Sequence, residues 1–291
     1  MRSIRAAVRV LAPRYYLVLK VKSEATKPCR TLAVIAFTLA IPTLLFADEP
    51  PIQVNPNRPT FATPALTTQS GVAELEFGLA HSVLREGGLD SSPFLLKLGL
   101  AKHLELRIGG NGLLHATQPW GATATGYGDT GLGVQWTFLP NAPLGIDGAV
   151  QVTVKLPTAK TSNALGSGKA DVLAMLLLSR DIGAFHADLN FLNIWLGRTA
   201  PLSRESQPAG TLSVSRALGG PWSITGEIYS IGGVSGSGPW VSNLWAVGYK
   251  VSPRLVLDGG IDVGLSHAAP EISVFAGLTV GVARFRHPGA P

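Results

Sequence analysis

The stretch Ile146-Asp147-Gly148-Ala149-Val150-Gln151-Val152-Thr153-Val154-Lys155-Leu156 decides the fold, because its large apolar residues recur at every second position. Isoleucine, valine and leucine fall on one set of positions, and acidic, amide, hydroxyl and basic side chains fall on the other. A period of two is that of a β-strand, whose successive side chains point to opposite faces. The stretch therefore predicts a long strand with one apolar face and one polar face.

The same alternation repeats along the chain in segments of about ten residues, the length that a tilted strand needs to cross a bilayer. Two of the segments, 171–179 and 271–285, are apolar on both faces, so their orientation is not decided by the pattern. The twelve segments are 73–79, 94–100, 104–109, 132–138, 146–156, 171–179, 185–195, 210–217, 222–229, 241–251, 255–265 and 271–285.

The connections between these segments alternate in length. The short ones are 101–103, 139–144, 180–184, 218–221 and 252–253, and the connections between them are longer. This order is typical of an outer-membrane barrel, which has tight periplasmic turns and larger external loops.

Aromatic residues near both ends of the strands predict a ring at each membrane interface. The predicted rings comprise Trp136, Phe138, Phe185, Trp222, Tyr249 and Phe285 on the periplasmic side, and Phe94, Tyr127, Trp195 and Trp240 on the external side.

We therefore predict an all-β fold, a closed antiparallel transmembrane β-barrel of about twelve strands. Closure follows because an unpaired backbone N–H or C=O group costs several kcal/mol in hydrocarbon, so a spanning sheet cannot leave a free edge. The alternative is a soluble sandwich or a calycin-like barrel, in which the apolar faces would point inward. The alternation of short and long connections and the bilayer-length strands favour the transmembrane barrel over the soluble alternatives.

Composition excludes several other classes. Charged residues make up 14% of the chain and hydrophobic residues 46%, without the long apolar runs of a multi-span helical membrane protein. Residues 1–47 hold eight basic residues and one acidic residue, which leaves 16 basic and 17 acidic residues in 48–291. The net charge of +6 therefore belongs to the first segment. We expect no nucleic-acid partner.

Four regions are predicted. Residues 1–47 resemble a cleaved signal peptide, with a basic start, an apolar stretch over 31–46 and small Ala47, the alternative being an uncleaved anchor. Residues 48–70 form a proline-rich periplasmic lead-in, and the sequence leaves open whether it folds back into the lumen. The barrel covers 71–285, and 286–291 form a C-terminal tail after Phe285. The single cysteine, Cys29, falls in the signal, so the mature barrel would lack disulfides and thiolate sites.

Motifs for enzymatic or nucleotide chemistry are weak. The run 126–131, Gly-Tyr-Gly-Asp-Thr-Gly, matches a dinucleotide fingerprint, but a strand follows it where a helix is required. The run 166–169, Gly-Ser-Gly-Lys, lacks the rest of a phosphate loop and predicts an external loop. No histidine pair has metal-ligand spacing. Neighbouring Ser82 and His81 point to opposite faces of a strand, so a lipid hydrolase remains the least favoured alternative. We predict no enzyme activity, metal site or cofactor.

The polar faces of the segments carry charges that we predict to line the lumen. Acids outnumber bases by ten to four, and two interpretations stay open. The charges form an ion-paired network that braces a narrow barrel, since buried charges are normally paired, or they line a permeation path that favours cations and neutral solutes. The predicted lumen residues are Glu74, Glu76, Lys97, Glu105, Arg107, Asp129, Asp147, Lys155, Asp171, Asp188, Glu227, Lys250, Asp258 and Asp262.

Several short motifs in order carry a resemblance to a known family. Asn57-Arg58-Pro59 precedes a first strand with Glu74-Leu75-Glu76, and later come Leu104-Glu105-Leu106-Arg107, the run 126–136, and Val154-Lys155-Leu156-Pro157-Thr158. Over about 58–285 the chain resembles the outer-membrane barrel transporters labelled for the meta-pathway of phenol degradation. The resemblance implies an outer-membrane barrel with a part in the uptake of aromatic or hydrophobic compounds, and it brings no catalytic residues.

The function predicted from these observations is an outer-membrane channel for passive uptake of small solutes in a bacterial cell. Its expected partners are outer-membrane lipid, a small-molecule solute and the barrel-insertion machinery. The runner-up is a closed structural or surface-binding barrel without transport. The sequence identifies neither the permeant nor the oligomeric state.

Overall fold

The computed structural model describes residues 8–12, 15–19, 51–118, 121–163, 165–197, 205–234 and 237–286. Within the predicted signal peptide it describes a separate antiparallel hairpin, β1 (Val8–Ala12) and β2 (Tyr15–Leu19). The predicted cleavage site after Ala47 and most of the C-terminal tail lie outside the described residues.

The rest of the described chain is built from strands, joined by turns and loops. The strands are β3 (Val72–Val83), β4 (Gly88–Ala101), β5 (Leu104–Thr117), β6 (Thr123–Tyr127), β7 (Thr130–Ala142), β8 (Ile146–Leu156), β9 (Asp171–Ile182), β10 (Phe185–Leu196), β11 (Glu205–Gly219), β12 (Trp222–Ile231), β13 (Trp240–Ser252), β14 (Leu255–Gly264) and β15 (Ile272–Arg284). Two short 3₁₀ turns lie at Pro143–Gly145 and Thr161–Asn163. In the described part of the chain, no helix combines the length and apolar character needed to cross a membrane.

Twelve of these strands close into an antiparallel barrel, as predicted. Each strand pairs with its neighbour in sequence, and β15 returns to pair with β3 from Ile272↔Val83 to Arg284↔Val72. The short strand β6 is additional: it pairs with the far half of β5, from Leu113↔Tyr127 to Thr117↔Thr123, while β7 pairs with the near half. Closure pairs the strand edges with one another, which is what the bilayer interior requires.

The two faces of the wall differ as the alternation predicts. Along β8, Val150, Val152 and Val154 are partly exposed on the outer surface, whereas Gln151 and Thr153 are buried inside. Large apolar side chains are exposed around the outside, among them Leu79 (61%) and Phe191 (53%). An apolar exterior around a polar interior is the inverse of a soluble barrel and fits a protein surrounded by lipid.

The loops are sorted between the two rims. Two- or three-residue turns at 102–103, 143–145, 183–184, 220–221 and 253–254 form one rim, here called the short-turn rim. Longer connections at 84–87, 157–170, 197–204, 232–239 and 265–271 form the opposite, long-loop rim, together with the β5–β7 connection that contains β6. This confirms the predicted alternation.

The aromatic positions agree with the prediction except at one residue. Trp136, Trp222 and Phe285 are about half exposed near the short-turn rim, and Tyr127 is exposed near the long-loop rim. Trp240, however, is 2% exposed and points into the barrel. Phe94 is half-buried and pairs across the sheet with Phe77, which is 40% exposed on the outer face. Sequence proximity to a strand end does not decide the face of the strand, which explains the error at Trp240.

Candidate functional site

The structure buries twelve of the fourteen predicted lumen residues. Asp147 is half-buried near the short-turn rim, where its carboxylate accepts the N–H of Asn141 (2.7 Å). Lys250 is exposed near the same rim and lies outside the buried interior. The buried residues are Glu74, Glu76, Lys97, Glu105, Arg107, Asp129, Lys155, Asp171, Asp188, Glu227, Asp258 and Asp262.

Residues 51–70, here called the inserted segment, lie inside the barrel. The segment contacts the short-turn rim where the N–H of Val54 donates to the carbonyl of Pro253 (3.0 Å). It leaves beside β4, where the N–H of Gly71 donates to the carbonyl of Gly99 (2.7 Å). Between these points Ala62 and Ala65 are fully buried. The sequence left this placement open, and the structure shows that the proline-rich segment fills part of the lumen.

Carboxylates of the wall accept the backbone N–H groups of the inserted segment. Glu74 accepts the N–H of Asn55 (3.2 Å to each oxygen), and Glu76 accepts those of Asn57 (2.8 Å) and Arg58 (3.1 Å). Since the segment has no strand partner, these carboxylates replace the carbonyl oxygens that a sheet would supply. Hydrogen bonds to charged groups contribute about 1.5–3 kcal/mol each.

The same arrangement continues on other strands. Glu227 of β12 accepts the N–H groups of Phe61 (2.8 Å) and Ala62 (2.7 Å), one on each oxygen. Glu105 of β5 accepts the N–H of Thr68 (2.6 Å). The inserted segment is therefore tied to opposite sides of the wall, and several of the acids that outnumber the bases serve this purpose.

Neutral side chains of the wall complete the attachment. Asn190 bonds both the N–H and the carbonyl of Thr63, at 2.6 and 3.0 Å. Ser179 accepts the N–H of Ala65 (2.7 Å), and Gln135 donates to the carbonyl of Pro64 (2.9 Å). These neutral polar residues point inward and were not predicted, because the charge pattern of the strands does not include them.

Lys97 is the buried cation at the base of the inserted segment. Its ammonium lies 2.9 Å from Glu74 and 3.0 Å from Glu76, and it also donates to the backbone carbonyl of Asn55. All three charged side chains are at most 1% exposed. Buried carboxylates require such a counter-charge, because an unpaired ion inside a protein is strongly destabilising.

Arg58 occupies a slot that two glycines make in the wall. Its guanidinium pairs with Asp258 through two bonds, from Nε (3.0 Å) and Nη2 (2.8 Å). Gly78 and Gly277 face each other across β3 and β15, and a Cβ on either would come within 2.4 Å of the guanidinium. Gly277 is also the register partner of Asp258. The three wall residues thus form one row that receives the arginine, with glycine required for the close approach.

A second ion cluster lies toward the long-loop rim. Lys155 binds Asp129 (2.7 Å), Asp171 (3.0 Å) and the hydroxyl of Ser167 (2.7 Å). Asp129 also accepts the N–H of Ala159 (3.0 Å). The glycine-rich runs around 126–131 and 166–169 therefore meet in a cluster that holds the 157–170 loop, in agreement with the loop predicted there.

Arg107 and Asp188, two further predicted lumen charges, are paired toward the short-turn rim. Arg107 contacts Glu105 (2.6 Å) and Gln135 (2.9 Å), and His186 contacts Asp181 (2.6 Å) and Asp188 (3.2 Å). Over the described residues, no group of three or more histidine, cysteine or acidic side chains is arranged to hold a metal ion. Paired charges of this kind agree with the bracing interpretation.

The opposite part of the lumen wall, on β9 and β10, contains an apolar cluster. Met175 and Leu177 of β9 and Leu192 and Ile194 of β10 are buried together with the inserted segment's Phe61. Phe61 stacks on Tyr229 with ring centroids 5.0 Å apart and planes 21° apart. This resolves the orientation of segment 171–179: Met175 and Leu177 point inward, and Leu176 is partly exposed outside.

Two cavities lie on either side of the inserted segment. A cavity of about 90 Å³ lies toward the long-loop rim, lined in part by Tyr229, Trp240 and Asp262. A second of about 400 Å³ lies toward the short-turn rim, lined in part by His186 and Asp258. Arg58 and Pro59 line both. The two residues thus lie at the boundary between the long-loop cavity and the short-turn cavity.

Comparison with known proteins identifies the fold. No family model and no curated protein matches the sequence. Among solved structures, the chain resembles an outer membrane channel from Pseudomonas putida F1, with a TM-score of 0.60, 14% identity, and coverage of 78% of this chain and 99% of that one. It also matches the NanC porin, with a TM-score of 0.49, 10% identity, and coverage of 72% and 98%. The chain therefore shares its fold, a closed antiparallel β-barrel, with the Pseudomonas channel.

Proposed function

We propose that this protein is a channel for passive passage of small solutes across the bacterial outer membrane, narrowed by the inserted segment. The observation that carries the proposal is the pair of cavities that meet at Arg58 and Pro59. A solute entering from the long-loop rim reaches the smaller cavity first. It then passes the arginine and enters the larger cavity, which borders the turns of the short-turn rim.

The Arg58–Asp258 pair is the element of this path that has to move. Both side chains are largely buried, at 12% and 2% exposed, so the pair closes the boundary while it is intact. Its two parallel bonds give it a defined geometry. The slot over Gly78 and Gly277 holds the guanidinium against the wall. Displacing the inserted segment near Arg58 would connect the two cavities without opening the barrel sheet.

The solute that we propose is small and partly apolar, and the family resemblance favours aromatic or hydrophobic compounds. The long-loop cavity supports this class, because Phe61 and Phe275 line it beside Tyr229 and Trp240. Pockets that bind small organic molecules are mostly apolar, with a few placed polar groups. Its volume of about 90 Å³ limits the solute to a small molecule.

A second candidate function is a closed barrel without transport, which acts through its loops. The attachment of the inserted segment favours it, since wall residues from Glu74 on β3 to Glu227 on β12 hold the segment's backbone. A segment held on so many sides would leave the lumen shut unless part of it moves.

Swelling of proteoliposomes in neutral sugars of increasing size distinguishes the two. For a channel we expect size-dependent swelling with the unaltered chain, and a severalfold faster rate for Arg58→Ala, which removes the pair with Asp258. Arg85→Ala is the matched control, because Arg85 is 46% exposed at the long-loop rim and lies 3.7 Å from Glu271. Absence of swelling in all three proteins would reject the channel and support the closed barrel.

A further inference from the structure

Asp262 lines the long-loop cavity, and one of its carboxylate oxygens is buried without a hydrogen-bond partner in the described part of the chain. Asp262 is 6% exposed, and its Oδ1 has no hydrogen-bond partner among the described residues. Its other oxygen, Oδ2, accepts the phenolic O–H of Tyr229. Buried polar atoms are normally satisfied, so an orphaned carboxylate oxygen at a cavity indicates a missing partner.

Other acids near the cavity are already satisfied. Glu76 is paired with Lys97 (3.0 Å), and Glu227 accepts two backbone N–H groups together with the hydroxyl of Thr211. The bases in this part of the lumen are also matched, Arg58 to Asp258 and Lys97 to its two glutamates. Asp262 is the acid that has neither a described basic partner nor a full set of hydrogen bonds. Around it, five carboxylates are matched by two cations: Glu74, Glu76, Glu227, Asp258 and Asp262 against Arg58 and Lys97.

Aromatic rings stand beside this acid. Tyr229 lies between Phe61, with ring centroids 5.0 Å apart, and Trp240, with ring centroids 6.2 Å apart. The indole N–H of Trp240 donates to Ser242 (2.7 Å), which holds the ring in place. Faces of tryptophan, tyrosine and phenylalanine attract cations through their quadrupoles, and clusters of such rings recognise organic ammonium groups.

We infer that the long-loop cavity is a binding site for a small organic ammonium ion that carries an apolar group. The ammonium would donate to Asp262 Oδ1 and supply the missing positive charge, and the apolar group would lie among Phe61, Tyr229 and Trp240. A neutral hydroxyl could provide the hydrogen bond but not the charge, and an anion would be repelled. This inference rests on the proposed channel function, in which a solute that enters from the long-loop rim reaches this cavity first.

Isothermal titration of the detergent-solubilised full chain tests the inference with three ligands of one skeleton: benzylammonium, benzyl alcohol and benzoate. At pH 7 the amine is protonated. We expect benzylammonium to bind about tenfold more tightly than benzyl alcohol, and benzoate to bind most weakly, as expected for a charge-assisted bond beside aromatic rings. If the unaltered chain binds the amine and the alcohol equally tightly, the inference is wrong, and no variant is needed to show it.

Asp262→Asn is the decisive variant, because it keeps the size of the side chain and an acceptor while removing the charge. We expect the preference for the amine to fall to less than about twofold. Asp90→Asn is the matched control: Asp90 is a 58%-exposed partner of His81 near the long-loop rim, and its replacement should leave the preference intact. A preference that survives in Asp262→Asn would refute the site.

Swelling measurements on the same preparations separate this inference from the proposed function. Swelling in neutral sugars without preference for the amine would leave the channel standing and reject the ammonium site. Amine-selective binding without any swelling would support the site and reject passage through the lumen.

Discussion

The lumen wall has two parts that hold the inserted segment in different ways. The charged part, around β3 and β4, holds the segment's backbone through Glu74, Glu76 and Lys97. The apolar part, around β9 and β10, buries Phe61 in a cluster that includes Leu177, beside the hydrogen bonds from Ser179 and Asn190. Hydrogen bonds and ion pairs give the charged part a defined geometry, whereas apolar contact is non-directional and depends on area and packing. The charged part therefore positions the segment by directional bonds to Asn55, Asn57 and Arg58, and the apolar part adds the burial of Phe61.

Lys97→Met should have the largest effect, because it leaves Glu74 and Glu76 buried side by side without their shared cation. Breaking a buried ion pair by removing one partner costs about 3–5 kcal/mol. We expect the free energy of unfolding in urea, measured in micelles, to fall by that amount. The backbone amides of Asn55, Asn57 and Arg58 should also exchange hydrogen faster, since their acceptors are no longer fixed.

Lys102→Met is the control for that experiment, because Lys102 is exposed in the β4–β5 turn. It removes the same charge from the same chain without burying an unpaired acid, and we expect little change. An equal loss of stability in both variants would contradict the positioning role of the charged part.

Leu177→Ala tests the apolar part and should have a somewhat smaller effect. Leu177 is fully buried in the cluster that includes Phe61, and leucine-to-alanine changes in a core cost about 2–5 kcal/mol through lost burial and the cavity left behind. Here we expect lower stability but little change in hydrogen exchange at residues 55–58. Leu176→Ala is the matched control, since Leu176 is 39% exposed on the outer face of the same strand. Accelerated exchange at 55–58 in Leu177→Ala would show that the two parts are not separable.

Gly277→Ala should have the smallest effect on stability and a specific effect on passage. The added Cβ would lie 2.4 Å from Nε of Arg58 and 2.5 Å from the carbonyl of Phe77, so the arginine must shift away from Asp258. Overpacking of this kind costs about 1–3 kcal/mol. Liposome swelling should become faster, as for Arg58→Ala.

Gly238→Ala is the control for this change, because a Cβ at Gly238 meets no described atom within 4 Å. We expect its swelling rate and stability to equal those of the unaltered chain. Unchanged swelling in Gly277→Ala would mean that the arginine slot does not limit passage.

The predictions from sequence succeeded where the information is local. The alternation in 146–156 identifies β8 and its two faces, because neighbouring side chains of a strand must point to opposite sides. The same argument predicted that Glu76 and Asp258 point inward. It could not orient 171–179, where both faces are apolar, and it placed Trp240 in an interfacial ring although that side chain points into the lumen.

The inserted segment could not be located in this way. Residues 51–70 contain four prolines and no alternating pattern, so nothing local indicates what surrounds them. One signal was present: inward acids outnumber inward bases, and buried acids need donors. Those donors proved to be backbone N–H groups such as those of Phe61 and Ala62, which no count of charged residues includes.

By itself the sequence determined that the chain forms long amphipathic strands joined by alternately short and long connections, because strand periodicity and turn length depend on neighbouring residues. From that pattern alone, closure in a bilayer follows as a necessity of backbone hydrogen bonding. Only the tertiary structure decided what fills the barrel. Arg58 and Asp258 are 200 positions apart and meet beside Gly78 and Gly277 because closure brings β3, β14 and β15 together. That contact, and the unsatisfied oxygen of Asp262, arise from non-local packing, which no local pattern specifies.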